Sequence, residues 1–207
     1  MTKISERGMI FNAEMVRALL DGRKTQTRRP IKWKQTRFTE FGEREDGSKW
    51  PWSEDAEHAC DFWHPCPFGA VGDRIWVREA FRAHSRATDV ATLVYKASER
   101  NSWTEQTRRV PVAVCNKPAT PEKWTPSLHM PRWASRILLE ITGVRVERLR
   151  SMSQDDARAE GVIAASGPME AGLAFRELWD SIYGEESWKA NPWVWVIEFK
   201  RVEGGAA

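Results

Sequence analysis

Near the C-terminus, Trp193-Val194-Trp195-Val196-Ile197-Glu198-Phe199 runs in strict alternation. Trp193, Trp195, Ile197 and Phe199 share one parity, and Val194, Val196 and Glu198 share the other. That period belongs to a strand rather than a helix, and the β-branched and aromatic content agrees. It is the clearest strand in the chain.

The elements before it follow from local signals. Asn12 reads as an N-cap, with Met15, Val16, Leu19 and Leu20 on one helical stripe and Gly22 as the C-terminal stop. Gly72-Asp73 turns into the alternating run Ile75 to Ala80, a strand, and residues 91–95 read as another. Residues 136–149 form a long β-like run with Ile137, Leu139 and Ile141 on one face and a bulge expected at Gly143. Ser153-Gln154-Asp155-Asp156 is a capping box with Asp in place of Glu, opening a short helix that stops at Gly161. A second helix is expected over about 172–183, with Ala174, Leu178 and Ile182 at helical spacing and Gly184 behind them. Residues 32–66 and 98–127 are polar, carry Trp and Pro without periodicity, and read as two long irregular insertions. The order is helix, strands, two helices, final strand. It implies a single α+β domain over residues 1–207 whose strands form a small, partly closed sheet.

Composition narrows the class. The 207 residues suffice for one sizeable core. A net charge of +3 permits an anionic partner without demanding one. Twelve Trp against two Tyr is unusual, and Trp serves both core packing and base stacking. The apolar runs are too short to cross a bilayer and the N-terminus has no apolar signal core, so no membrane partner is expected. Three Cys, an odd number, do not form a disulfide framework, and a cytoplasmic location is expected.

Between Gly22 and Pro30 lie four cations and two threonine hydroxyls. Such a run is either a solvated basic turn or a site for a phosphate or a nucleobase edge. A lysine whose proton affinity is lowered by burial accepts a proton from a hydroxyl, which would make Lys24 a base and Thr27 a nucleophile. In a regular strand, residues three apart face opposite sides, so the segment must turn between them. Glu160 falls in the last turn of the capped helix, where the dipole disfavours an ionised carboxylate; held by a cation, it is a candidate general acid or base. His58, Cys60, His64 and Cys66 are zinc-ligand types, but one intervening residue within each pair strains the bite, and no metal site is expected. There is no GxGxxG after a strand, no GxxxxGK[ST], no HExxH and no GxSxG elbow.

Three segments resemble the ASCH superfamily, and its longer, Trp-rich phage and prophage members most. They are Leu20-Asp21-Gly22-Arg23-Lys24-Thr25-Gln26-Thr27-Arg28-Arg29, Gly72-Asp73-Arg74-Ile75-Trp76-Val77-Arg78-Glu79, and the stretch from Asp156-Ala157-Arg158-Ala159-Glu160 through Ile182-Tyr183-Gly184 to Trp195–Lys200. Trp124–Trp133 resembles a signature of the longer subgroup. The resemblance implies a PUA-like small β-barrel with flanking helices and the two insertions. One small branch of the superfamily hydrolyses N4-acetylcytidine with a Lys, a Thr and a Glu; its Gly-x-Lys-Thr-x-Thr segment matches Gly22 to Thr27, and its Glu matches Glu160. By that resemblance Thr27 is the nucleophile, Lys24 the base and Glu160 the orienting or proton-relaying group. Arg28, Arg29, Arg132 and Trp133 are then the expected ligand contacts. No cofactor is implied, and the expected partner is a nucleoside or single-stranded nucleic acid, RNA in preference to DNA. Three other readings stand beside it: a non-catalytic RNA- or DNA-binding module, a metal-independent ribonuclease, and a phage accessory protein acting on a host protein.

Overall fold

The protein was analysed as a computed structural model that describes residues 4–32, 40–55, 60–163, 167 and 170–202. Along the chain run β1 (Glu6–Ile10), α1 (Ala13–Leu20), β2 (Gln26–Pro30), β3 (Glu40–Glu43), β4 (Lys49–Asp55), β5 (Cys60–Trp63), β6 (Arg74–Arg78), β7 (Phe81–Arg86), β8 (Val90–Tyr95), α2 (Trp103–Gln106), β9 (Thr107–Pro111), β10 (Leu138–Arg148), α3 (Gln154–Ala159), α4 (Glu170–Tyr183), α5 (Glu185–Ala190) and β11 (Trp193–Arg201). The fold is mixed α+β, as expected. The chain forms two compact units. The first comprises Met1–Gly22, Arg74–Glu140 and Arg201–Ala207; the second comprises Arg23–Asp73 and Ile141–Lys200. No helix among the described residues is long and apolar enough to cross a membrane.

In the first unit, Asn12 caps α1 by accepting the Met15 amide at 2.8 Å, and Met15, Val16, Ala18 and Leu19 are buried. Parallel strands β1 and β6 pair with Gly8 opposite Trp76, and Leu138 of β10 lies antiparallel to Trp76. Gly8 is required by close approach: a Cβ there would lie 2.5 Å from Trp76 Cζ2. Strands β7, β8 and β9 form an antiparallel sheet over a core containing Phe81, Leu93, Tyr95, Val110, Met130 and Ala134. The second insertion is therefore not irregular throughout. It contains α2 and β9, and β9 escapes notice because Val110 is its one fully buried residue, beside Arg108 and Arg109.

In the second unit, the first insertion is also structured, as the antiparallel sheet β3–β4–β5. Its aromatics hold it in place: Phe41 stacks on Trp193 at 4.5 Å, and Trp50 meets Trp195 edge-on at 4.9 Å. Strand β2 pairs antiparallel with β11, with Thr27 opposite Ile197 and Arg28 opposite Val196. Val194 to Ile197 are all buried, so both faces of β11 are covered. The capping box at Ser153 and Asp156 forms, and α3 ends at Glu160 with Gly161 at φ +90°. Helix α4 turns Ala171, Phe175 and Trp179 inward, where they pack with Leu149, Ala157, Val194 and Val196. The expected stripe of Ala174, Leu178 and Ile182 is displaced by these larger aromatics, and Ile182 is exposed. Strand β10 passes through Gly143 at a close approach to β11: a Cβ there would lie 2.7 Å from Glu198 Oε2.

Candidate functional site

Gly22, at φ +74°, ends α1 and releases the chain into the basic segment. Two backbone bonds then pin that segment. The Thr25 amide donates to the Ala159 carbonyl at 2.8 Å, and the Phe199 amide donates to the Thr25 carbonyl at 2.9 Å. Residue 25 is thus clamped between the end of α3 and β11, and its bond to Phe199 extends the β2–β11 pairing by one step. Lys24, Gln26 and Arg28 therefore share the side that meets Glu160 and Asp156, while Thr27 has the other parity.

Lys24 reaches the end of α3. Its Nζ donates to both the backbone carbonyl and the Oε2 of Glu160, each at 2.8 Å. The lysine side chain is 0% exposed and that of Glu160 is 2%. Glu160 also accepts, through Oε1, a bond from Arg28 Nη1 at 3.1 Å. One carboxylate therefore serves two buried cations, one on each oxygen. The carbonyl end of α3 would by itself repel a carboxylate, and the two cations offset that.

Arg28 is paired through both terminal nitrogens, while its buried Nε has no hydrogen-bond partner. Its Nη2 donates to Glu147 Oε1 at 2.5 Å and lies 3.5 Å from Asp156 Oδ1. Its guanidinium also lies over the Phe175 ring at 5.9 Å. Beyond it, Arg145 donates to Asp156 Oδ1 at 2.7 Å and Glu147 Oε2 at 3.2 Å, and also contacts Glu198. Gln26 Nε2 closes the group on the Asp156 carbonyl at 2.9 Å and its Oδ1 at 3.1 Å. An alternating chain of charge runs from Lys24 to Glu198.

Burial lowers the proton affinity of Lys24 below its ordinary value of 10.5, outweighing the attraction of Glu160, and the charges of Arg29 and Arg28 push the same way. Burial acts on Asp156 to raise it, but the hydrogen bonds from the Ser153 amide and hydroxyl and from Gln26, with the Arg28 charge, hold it well below the usual carboxylate range.

Thr27 is buried in β2, and among the described residues its hydroxyl makes no hydrogen bond to Lys24 or Glu160. Arg29 is half-buried and donates to the Tyr183 hydroxyl at 3.4 Å. Arg132 and Trp133 belong to the first unit, where Arg132 pairs with Glu6 at 2.9 Å and Trp133 meets Phe81 edge-on at 6.3 Å. The structure therefore joins Lys24, Arg28 and Glu160, and the Arg28 guanidinium, expected from the resemblance as a ligand contact, meets the carboxylates of Glu147 and Glu160. Glu147, Arg145 and Asp156 were missed as site members. Arg145 and Glu147 do leave a trace in the sequence, as opposite charges two apart on one face of a long strand.

A groove of about 360 Å³ lies against this cluster within the second unit. Thr25 and Gln26, the two residues between Lys24 and Thr27, line it together with Ser153, Asp156, Ala159 and Glu198. Of the expected zinc-type residues, His58 lies outside the described residues and the Cys60 side chain is not described; His64 bonds Ser53 Oγ through Nε2 at 2.9 Å, and Cys66 is buried. Among the described residues no three His, Cys, Asp or Glu side chains gather as a metal site would.

The chain matches no family model and no curated protein. In three dimensions it is similar to the crystal structure of an ASCH domain from Lactobacillus crispatus JV V101, at 14% identity over 95% of this chain and 79% of that one, with a TM-score of 0.40.

Proposed function

We propose that the second unit carries an amidohydrolase site acting on an acylated nucleobase or nucleoside of the N4-acetylcytidine kind, built from Lys24, Thr27 and Glu160. One observation carries the reading. Lys24 and Glu160, the two residues assigned to proton handling by resemblance, meet at 2.8 Å in a water-poor setting that lowers the affinity of the lysine for its proton. The same reading takes the chain as an ASCH-type domain with a PUA-like barrel, acting in the cytoplasm.

In the reaction, neutral Lys24 Nζ takes the proton of the Thr27 hydroxyl as Oγ1 attacks the amide carbonyl carbon. The C–N bond breaks, and the proton held by Lys24 passes to the departing amine. Lys24 Nζ then takes one proton of a water whose oxygen adds to the acyl-threonine carbon; that proton passes to Oγ1 as the Oγ1–C bond breaks, restoring Thr27, and the carboxylic acid formed gives its own proton to solvent and leaves as carboxylate. Glu160 holds the Lys24 amine in place through both steps. A ligand in the groove lies against Thr25 and Gln26, the backbone that carries the pair.

The test is incubation of purified protein with N4-acetylcytidine and related acylated nucleosides, following release of the free amine. The wild type should turn over, and Lys24→Ala and Glu160→Ala should each lose a factor of about 10²–10⁴ in rate, the usual contribution of a positioned proton-transfer group. Absence of turnover across the panel would sink the reading.

A further inference from the structure

A second cavity of the second unit takes no part in the chemistry above. It is a groove of about 560 Å³ and shares no lining residue with the groove beside Lys24. Small-molecule sites occupy about 300–1,000 Å³, so this one is of ligand size. It lies where the end of β2, the start of β3, the end of β10 and the start of β11 meet the C-terminus of α5.

Its walls are pinned by hydrogen bonds of the backbone. The Ile31 amide donates to the Trp193 carbonyl at 3.0 Å, and the Leu149 amide to the Pro192 carbonyl at 2.9 Å. Asn191 ends α5 at φ +47°, a left-handed conformation that asparagine tolerates better than most residues. Its Oδ1 accepts from the Arg150 amide at 2.8 Å. The groove is therefore formed before any ligand enters it.

The lining divides into an apolar floor and two charges. Ile31, Phe41, Pro192 and Trp193 make the floor, with Phe41 stacked on Trp193 at 4.5 Å. The charges are Arg148 and Glu40. Arg148 lays its guanidinium over the Trp193 ring at 4.5 Å and donates through Nη1 to the Asn191 carbonyl at 3.1 Å. Those contacts orient the guanidinium without neutralising it. Among the described residues, Arg148 pairs with no carboxylate and Glu40 with no cation. Nor do they pair with each other, which puts more than 4.0 Å between their charged ends.

Opposite charges held apart on one apolar groove are complementary to a ligand that carries both charges on an apolar body. A ligand rich in phosphate fits poorly, because Glu40 repels what the single guanidinium attracts. A peptide also fits poorly, since a terminal residue offers one of the two charges and an amide in place of the other. A free amino acid offers both on one carbon.

We infer that this groove binds a free α-amino acid with an aromatic side chain. Its carboxylate meets Arg148, its ammonium meets Glu40, and its ring lies on the floor formed by Phe41, Pro192 and Trp193. Arginine suits the carboxylate because its planar fork offers parallel N–H groups beyond the one spent on Asn191. This site goes beyond the amide hydrolysis proposed above and stands without it.

Saturation-transfer NMR titrations of the full chain with L-phenylalanine and four relatives test the inference. 3-Phenylpropionate lacks the ammonium, phenethylamine lacks the carboxylate, and N-acetyl-L-phenylalanine and L-phenylalaninamide stand for the two ends of a peptide. L-Phenylalanine should bind saturably. Each relative should bind about 5- to 50-fold more weakly, between the worth of an exposed ion pair and that of a charge-assisted hydrogen bond. Arg148→Gln should weaken L-phenylalanine and 3-phenylpropionate by the same factor and leave phenethylamine unchanged. Glu40→Gln should weaken L-phenylalanine and phenethylamine and leave 3-phenylpropionate unchanged. Both positions are exposed, so neither variant disturbs the core. Three outcomes would each overturn the inference: no saturation with L-phenylalanine up to about 10 mM, equal affinity for N-acetyl-L-phenylalanine, or losses in the variants that ignore which charge the ligand carries.

Discussion

Lys24 and Glu160 are 136 positions apart in sequence, yet the lysine Nζ lies 2.8 Å from both the carboxylate Oε2 and the backbone carbonyl of the glutamate. The contact ties the segment leading into β2 to the C-terminus of α3. Because Arg28 holds the other carboxylate oxygen, Glu160 is the shared partner of two buried cations.

That sharing makes the two ends of the pair unequal. Glu160→Ala leaves Lys24 and Arg28 buried and mutually repelling, and should cost about 3–5 kcal/mol, as removal of one member of a buried pair does. Lys24→Met leaves the Arg28–Glu160 bond in place and should cost less, about 1–3 kcal/mol. Urea midpoints at constant m-value measure both, and a larger loss in Lys24→Met would refute the shared-partner arrangement.

Lys24 also gives stability a pH signature. Its folded proton affinity lies below the ordinary 10.5, so between the folded value and 10.5 the unfolded chain binds the additional proton. Stability of the wild type should rise with pH across that window relative to Lys24→Met, and the difference should be flat below it. In the proposed hydrolysis the same group would act as the base. The rising limb of kcat/KM against pH should fall below 10.5 and vanish in Lys24→Ala.

Arg28 acts on Lys24 through charge as well as through Glu160. Arg28→Met should raise the Lys24 proton affinity, moving its ¹³Cε NMR titration to higher pH. Arg28→Lys keeps the charge but loses the fork that spans Glu147 and Glu160, so it should retain most of the titration while still losing stability. A Lys24 titration identical in wild type and Arg28→Met would show that the two cations are uncoupled.

At the acid end, Asp156 behaves oppositely. Its carboxylate accepts from the Ser153 amide at 3.0 Å, the Ser153 hydroxyl at 2.8 Å and Arg145 at 2.7 Å, and its folded proton affinity is depressed below 3.8. Its contribution is complete above 3.8 and is lost as the pH falls below it. Asp156→Asn should therefore be less stable than wild type at pH 7, and the gap should close in acid. A gap that stays constant down to about pH 2 would mean the carboxylate charge contributes nothing.

Local signals were legible in proportion to how local their causes are. Asn12, the Ser153–Asp156 box and the β11 alternation each depend on residues within four positions, and each forms as read. Strands β3–β5 and β9 depend on distant surfaces: Trp50 is buried because Trp195 is there to meet it, and no periodicity in residues 32–66 records that. The same holds for Arg28. A basic run looks identical in sequence whether its arginine faces water or the carboxylates of Glu147 and Glu160, which are 119 and 132 positions away. The pairing of Lys24 with Glu160 leaves two traces in the sequence: a carboxylate at a helix end that needs a cation, and the resemblance that links the two positions.

The first unit offers a check on register that is independent of any activity. Gly8 lies opposite Trp76 in the parallel β1–β6 pair, and an added Cβ would come within 2.5 Å of Trp76 Cζ2, 2.8 Å of Cε2 and 2.9 Å of Arg78 Cδ. Arg78 is a flexible chain that can swing away, whereas the indole ring is rigid and packs against the core that holds Phe81 and Tyr95. Gly8→Ala should therefore cost about 1–3 kcal/mol, the usual penalty of overpacking, and lower Tm by roughly 2–12 °C for a chain of this size. In Trp76→Val the ring is gone, and adding Gly8→Ala to that variant should cost close to nothing further. Calorimetry on the four-protein cycle measures the coupling directly; additive losses would mean that residue 8 does not face the indole and that the strands pair in another register.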